Sequence, residues 1–113
     1  LIRPPLYEAF HDIRPLTQRS GDARLIDVVG PICESGDYFA KSRLMQPAKA
    51  GDLLAVMGAG AYGAVMSSTY NSRPLIPEVL VDQARFHIIR PRMSYAEMLA
   101  RDSLPDWLDK TKP

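Results

Sequence analysis

Short apolar runs separated by turn residues are the dominant pattern along the chain. Four of these runs predict strands, at residues 23–30, 53–57, 78–82 and 85–90. Pro31 should end the first strand, because proline cannot donate a ladder hydrogen bond. Residues 82–84 predict a hairpin loop between the last two strands. Residues 37–40 are compatible with either a short continuation of the first strand or a loop.

Two segments have the pattern of short helices. In residues 5–13 the apolar side chains recur at i, i+3, i+4 and i+7, which forms one helical face. Ser94 followed by Glu97 is a capping-box pattern, so we predict a second helix over residues 94–101. With the short strands and Gly/Pro turns, this predicts a mainly all-β fold. We expect a Greek-key-like β-sandwich or open barrel that carries these two helices.

The composition fits one small domain and argues against several classes of protein. Of 113 residues, 46% are hydrophobic and 24% charged, which is ordinary for a folded domain and argues against disorder. A net charge of +1 gives no basic field for nucleic acid, and the apolar runs are too short or too glycine-rich to cross a bilayer. The single cysteine favours a cytoplasmic setting. The first residue is Leu1 and not methionine, so we expect part of a longer protein.

The Cys33-Glu34 pair is the most prominent candidate for chemistry. It follows Gly30 and Pro31, so the end of a strand should place it in a loop, where binding and catalytic groups are concentrated. The neighbouring carboxylate disfavours the thiolate, so the thiol suits proton donation better than nucleophilic attack. The alternative from the residues alone is a buried structural cysteine beside a solvated glutamate.

Two further sets of residues could bind a ligand. Tyr62 lies in the glycine-rich segment 58–63, whose backbone could approach a ligand closely; the alternative is a tight turn with a core tyrosine. Arg3 and Tyr7 are four residues apart and on a helix would share a face, where they could clamp a carboxylate. The alternative for this pair is simple surface placement. The two histidines lack nearby ligand spacing, so we predict no metal site.

Six segments of the chain, in the same order, resemble the C-terminal β-domain of the diaminopimelate decarboxylase family, in the fold-type III group of pyridoxal-phosphate enzymes. They are Arg3-Pro-Pro-Leu-Tyr-Glu-Ala, Val29-Gly-Pro-Ile-Cys-Glu-Ser-Gly-Asp, Gly51-Asp-Leu-Leu, Gly60-Ala-Tyr-Gly, Tyr70-Asn-Ser-Arg-Pro and Pro77-Glu-Val-Leu-Val. The resemblance extends to about Leu99, and the Cys-Glu-Ser-Gly-Asp block is its most specific part. Related ornithine-type decarboxylases carry Asp after this Cys, so Glu34 favours diaminopimelate.

The resemblance implies a role for each candidate residue. Cys33 would donate a proton to the carbanion that remains after carbon dioxide leaves, and Glu34 would bind the distal amino group of meso-diaminopimelate. Arg3 and Tyr7 would contact the distal carboxylate region. Tyr62 would touch both the substrate and the cofactor, pyridoxal 5'-phosphate. The product would be L-lysine, in the last step of its biosynthesis. The family's active site forms between two subunits, so a homodimer is implied.

The catalytic (β/α)8 barrel of the family has no counterpart in this chain. That barrel carries the Schiff-base lysine and the glycine-rich phosphate loop, and none of the chain's lysines, Lys41, Lys49, Lys110 and Lys112, matches that context. We therefore expect residues 1–113 to be a single C-terminal β-domain that is inactive alone. One alternative is a stand-alone dimerisation or binding module without activity. Another is a related decarboxylase or racemase that acts on another amino acid.

Overall fold

The computed structural model describes residues 1–108, whose regular elements are mainly short strands. The remaining positions, Lys110 and Lys112 among them, lie outside the described residues. The chain forms two compact units, one spanning Leu1–Ser67 and a second that begins at Ser68.

The first unit contains one helix and four strands. They are α1 (Arg3–Tyr7), β1 (Ile13–Pro15), β2 (Arg24–Val29), β3 (Tyr38–Met45) and β4 (Leu54–Val56). Strands β2 and β3 form an antiparallel hairpin in which Val29 lies opposite Tyr38. Strand β1 pairs antiparallel with β4, with Ile13 opposite Val56. The strands predicted at 23–30 and 53–57 are therefore confirmed, with slightly shorter bounds.

Strand β3 is longer than either interpretation of residues 37–40 anticipated. It continues through Met45 and contains two irregularities opposite β2. At one of them Ser42 adopts a left-handed φ of 46°, and its N–H donates to Asp27 Oδ1 at 2.7 Å. Such bulges insert extra residues and break the two-residue alternation that marks a strand in a sequence. The bulges, together with the polar run at residues 41–43, therefore hid the strand from an analysis based on alternation.

The prediction of a helix over residues 5–13 is wrong in its bounds. Helix α1 is Arg3–Tyr7 because two prolines occupy its first turn, where their fixed φ suits a helix start and their missing N–H costs nothing. The helix ends at Glu8, which has a left-handed φ of 53° and whose N–H donates to the carbonyl of Arg3. Ile13 then lies in β1 and is buried.

The buried core of residues 1–108 is small and lies in the first unit. Its members are Pro4, His11, Ile13 and Ala40. Many large apolar side chains are exposed instead, including Phe10 at 73% and Phe86 at 74%. Exposed apolar surface of this extent typically marks contact with other protein.

An ion pair between Arg19 and Asp52 joins the β1–β2 connection to the β3–β4 connection of the first unit. Asp52 accepts hydrogen bonds from Arg19 Nε at 2.7 Å and Nη2 at 2.5 Å, and from the Lys49 N–H at 2.8 Å. The Lys49 carbonyl accepts from the Asp52 N–H at 3.0 Å, which closes a turn at 49–52. The hydrogen bonds from Arg19, followed by that from Lys49, hold the pKa of the Asp52 carboxyl well below its usual range.

Asp52→Asn is expected to lower the thermal unfolding midpoint at pH 7 by more than it does in acid. Because the pKa of Asp52 is depressed in the folded state, its stabilisation is complete above the unfolded pKa of about 4 and is lost as the pH falls toward the folded pKa. Arg19→Gln removes the main cause of the depression and should show the same convergence with wild type. A difference that stays constant from pH 7 to pH 3 would contradict this assignment.

The second unit consists of a hairpin and short helices. Strands β5 (Glu78–Asp82) and β6 (Arg85–Arg90) pair antiparallel, and Gln83 at the tip has a left-handed φ of 55°. A 3-10 turn at Tyr70–Ser72 precedes them, and α2 (Tyr95–Leu99) and a second 3-10 turn at Asp106–Leu108 follow. The predicted hairpin is confirmed.

Helix α2 starts at the predicted capping box. The Ser94 Oγ accepts from the Glu97 N–H at 3.1 Å, and Glu97 Oε2 accepts from the Ser94 N–H at 2.7 Å. The Ser94 N–H, followed by the Ser94 hydroxyl, donates to this carboxylate and lowers the pKa of Glu97. The helix is confirmed, although it ends at Leu99 and not at residue 101.

The mainly β class is confirmed, and the strands form three separate two-stranded antiparallel sheets. No closed barrel is present among residues 1–108. None of the helices in this described part has the length and apolar character needed to cross a membrane.

Candidate active site

The Cys33-Glu34 pair lies in the loop of residues 30–37, which joins β2 to β3 and is called here the Cys-Glu loop. The Gly30 N–H donates to the Asp37 carbonyl at 2.8 Å and closes the base of the loop. Inside it, the Glu34 N–H donates to the Ile32 carbonyl at 2.8 Å and the Asp37 N–H to the Glu34 carbonyl at 3.0 Å. The loop therefore holds its own shape through backbone hydrogen bonds.

Both candidate side chains of the Cys-Glu loop are exposed. Cys33 is a free, exposed cysteine, so its interpretation as a buried structural residue is wrong. Glu34 is also exposed, and its Oε1 accepts a hydrogen bond from the Gly36 N–H at 3.2 Å. The thiol is therefore accessible to a reacting group, with a carboxylate on the adjacent residue.

Asp37 supports the Cys-Glu loop from within, a role that the sequence reasoning missed. Its Oδ2 accepts from the Ile32 N–H at 2.6 Å. A Cβ on Gly30 would overlap both carboxylate oxygens of Asp37, so a side chain at position 30 would displace this carboxylate. The only available signal was the glycine and aspartate at the two ends of a loop, which has no periodicity to reveal it.

Helix α1 lies beside the Cys-Glu loop. A Cβ built on Gly36 would lie 3.6 Å from Cβ of Pro5, which is ordinary van der Waals contact. Arg3 is partly buried and Tyr7 is 61% exposed, and they occupy the two ends of this five-residue helix. The structure thus brings the helix that carries Arg3 and Tyr7 next to the loop that carries Cys33 and Glu34. The carboxylate clamp itself stays a prediction.

Tyr62 lies in the same unit but on a different loop. The Gly63 N–H donates to the Gly60 carbonyl at 3.3 Å, and a Cβ on Gly63 would overlap the Ala59 carbonyl, so the turn folds tightly on itself. Tyr62 has a left-handed φ of 59° and is 61% exposed. Its interpretation as a core tyrosine is therefore wrong, and its ring faces outward from a compact turn.

The segment around Tyr62 leaves room for a contact with pyridoxal phosphate. Nothing lies within 4 Å of a Cβ built on Gly58 or Gly60, so a ligand can approach the backbone beside exposed Tyr62. Lys41 lies over the ring of Tyr38 with Nζ 4.2 Å from its centroid. Among residues 1–108 no cluster of three or more His, Cys, Asp or Glu could hold a metal ion.

Comparison with known proteins gives consistent matches. Residues 1–60 match the family described as "Pyridoxal-dependent decarboxylase, C-terminal sheet domain". The chain is 46% identical over 108 residues to the diaminopimelate decarboxylase of Zymomonas mobilis, covering 96% of this chain and 25% of that protein. For the enzyme of Pseudomonas aeruginosa the identity is 51% over 104 residues, covering 92% and 25%.

A solved structure shows the same likeness in three dimensions. The crystal structure of diaminopimelate decarboxylase from M. jannaschii in co-complex with L-lysine matches with a TM-score of 0.85 at 35% identity, covering 94% of this chain and 24% of that one. The chain therefore spans about a quarter of the length of the relatives it matches.

Proposed function

Because this chain belongs to the family of C-terminal sheet domains of pyridoxal-dependent decarboxylases, we propose that it supplies the Cys-Glu loop to a diaminopimelate decarboxylase. The enzyme would convert meso-2,6-diaminopimelate to L-lysine and carbon dioxide. The observation that carries this proposal is the exposed Cys33-Glu34 pair on a loop braced by Asp37. The names of the relatives and the bound L-lysine of the M. jannaschii enzyme support the choice of substrate.

Cys33 and Glu34 would divide the work of proton delivery and substrate binding. Pyridoxal 5'-phosphate, when bound, would withdraw electrons from the bond that breaks. The Cys33 thiol would give its proton to the carbon that loses carbon dioxide, and the exposed sulfur would then regain a proton from solvent. The Glu34 carboxylate would hold the distal ammonium group of the substrate by a charge-assisted hydrogen bond.

The other site residues would orient the two ligands. Arg3 and Tyr7, on the helix beside the loop, would contact the distal carboxylate of the substrate. The exposed ring of Tyr62 would contact the cofactor and the substrate. Tyr62 is the residue of this chain that would touch pyridoxal phosphate.

A second subunit would complete the site. We propose that both units of this chain act as one C-terminal domain of a cytoplasmic homodimer. The Cys-Glu loop of one subunit would reach the barrel of the other, where the cofactor's lysine and phosphate loop would lie. The extensive exposed apolar surface supports burial against other protein.

The complete protein is expected to release carbon dioxide from meso-diaminopimelate and to prefer it to ornithine and arginine. Glu34→Gln keeps the size of the side chain and removes its charge, so we expect the KM for diaminopimelate to rise about tenfold or more, the usual scale for a lost charge-assisted bond. Steady-state assays of carbon dioxide and L-lysine test both points. Ser35→Ala, at the exposed neighbouring position, is the matched control.

Two results would contradict the proposal in different ways. Preferential decarboxylation of ornithine would remove the argument from Glu34. No carbon dioxide release from any diamino acid by the wild-type protein would favour a binding module without activity.

A further inference from the structure

His11 is a buried side chain that the proposed chemistry does not use. It is 3% exposed, and its Nδ1 lies 3.0 Å from the carbonyl oxygen of Met57. A carbonyl only accepts hydrogen bonds, so Nδ1 must carry the proton and donate it. The other ring nitrogen, Nε2, is buried without a hydrogen-bond partner among the described residues. The bond to Met57 is thus the polar contact that holds this ring in the interior.

Met57 directly precedes residues 58–63, the segment that carries Tyr62, and is the first residue after strand β4. Strand β4 ends at Val56, and the Met57 N–H donates to the Asp12 carbonyl at 2.8 Å. Residues 11 and 12 therefore fix both polar groups of the Met57 backbone. Gly58 follows with a left-handed φ of 63°, and no other atom lies within 4 Å of the position a Cβ would take there, so Met57 is the last residue before the turn at which these contacts fix the backbone.

His11 is itself held from the neighbouring hairpin. Its carbonyl accepts a hydrogen bond from Arg43 Nη1 at 2.9 Å. The guanidinium carbon of Arg43 lies 4.0 Å from the centroid of the Phe10 ring, a cation–π contact that restricts the arginine. Strand β3, which also carries one end of the Cys-Glu loop, is thereby connected through His11 to Met57.

We propose that His11 is a positioning residue for Tyr62. Its Nδ1–H bond to the Met57 carbonyl sets the point and direction in which residues 58–63 leave β4, and so sets where the Tyr62 hydroxyl meets its ligand. The identity of that ligand, the pyridoxal phosphate and substrate, rests on the proposed function. The connection between His11 and residues 58–63 rests on the hydrogen bonds described above.

Three substitutions of His11 distinguish the effect of the Nδ1 hydrogen bond from the effect of filling the space of the ring. His11→Asn places an amide N–H close to the position of Nδ1 and can keep the bond to Met57, whereas His11→Gln reaches toward Nε2 and His11→Leu fills the space without any donor. Ile13→Ala is the matched control, since Ile13 is a buried residue of β1 two positions away. It should destabilise the unit without touching the Met57 carbonyl.

The first measurement is amide hydrogen exchange in the complete protein, which does not depend on activity. We expect His11→Leu and His11→Gln to speed exchange at the Met57 and Gly63 amides about tenfold, which corresponds to one lost hydrogen bond, and His11→Asn to restore most of the protection. Ile13→Ala should speed exchange throughout the unit. The exchange rate of the Gly63 amide relative to the other amides should therefore stay unchanged. Equal exchange at Met57 and Gly63 in all four variants would overturn the proposal.

The second measurement is a double-mutant cycle with Tyr62→Phe, read in kcat/KM and in the dissociation constant of pyridoxal phosphate. If His11 acts through Tyr62, Tyr62→Phe should cost about tenfold in wild type and His11→Asn but much less in His11→Leu. Additive losses alongside normal decarboxylation would overturn the proposal and leave the proposed function standing. Inactive wild-type protein would overturn the proposed function, and the exchange data would still decide whether His11 positions the loop.

Discussion

Cys33→Ala is expected to slow carbon dioxide release from meso-diaminopimelate by about a hundredfold or more, since a positioned proton donor typically contributes 10²–10⁴-fold. The effect should fall on kcat and leave the KM nearly unchanged, because the thiol acts on the reacting carbon and does not hold the substrate. In deuterated water the wild-type enzyme should place deuterium on one face of the product carbon. The alanine variant should give both stereoisomers, because water then delivers the proton without a fixed direction.

Two further results decide the role of the thiol. Ser35→Ala changes the exposed neighbour in the same loop, and a surface substitution of this kind should alter kcat by no more than about twofold. A Cys33→Ala enzyme with wild-type kcat and a single deuterated stereoisomer would show that another group donates the proton.

Gly30→Ala is expected to lower kcat about a hundredfold, although residue 30 itself would touch no ligand. The reason is that a shift of a reacting group, here the Cys33 thiol, by about 1 Å can slow a reaction by this factor. The new methyl group would occupy the space of the Asp37 carboxylate. The carboxylate would have to move, and its bond to the Ile32 N–H would break. Cys33, the next residue, would then leave its position.

A double-mutant cycle tests this cause directly. Asp37→Ala removes both the bond to Ile32 and the obstacle to a side chain at residue 30. Gly30→Ala combined with Asp37→Ala should therefore be no slower than Asp37→Ala alone, whereas Asp37→Asn, which keeps an acceptor oxygen, should be nearly wild type. Losses in kcat that multiply in the double variant would show that the two positions act separately.

The elements that could be predicted from sequence are those whose signal is local. Strand β2 and the β5–β6 hairpin follow from short apolar runs and a turn, and α2 follows from the reciprocal bonds of Ser94 and Glu97. Strand β3 escaped because its two bulges disturb the two-residue alternation and the polar run Lys41-Ser42-Arg43 interrupts its apolar residues. Helix α1 was misplaced because an apolar stripe fitted residues 5–13, while the prolines at its start and the left-handed Glu8 decided the bounds.

The candidate site was predictable in its residue types but not in its supports. The motif order identified Cys33 and Glu34, which the structure places on an exposed loop. Gly30 and Asp37, whose atoms leave no room for a side chain between them, are 7 positions apart. His11 and Met57, which share a hydrogen bond, are 46 positions apart. Neither contact produces a periodic pattern in the sequence. Contacts of that kind depend on how elements pack, which a pattern of apolar positions does not encode.

The bonds that shape the Cys-Glu loop join residues at most seven positions apart. Short-range contacts close quickly and need little of the chain to be in place, so this loop can form early in folding. The loop would then be ordered before any second subunit arrives. Association would not have to restrict these eight residues again, so the conformational entropy lost at assembly would be correspondingly small.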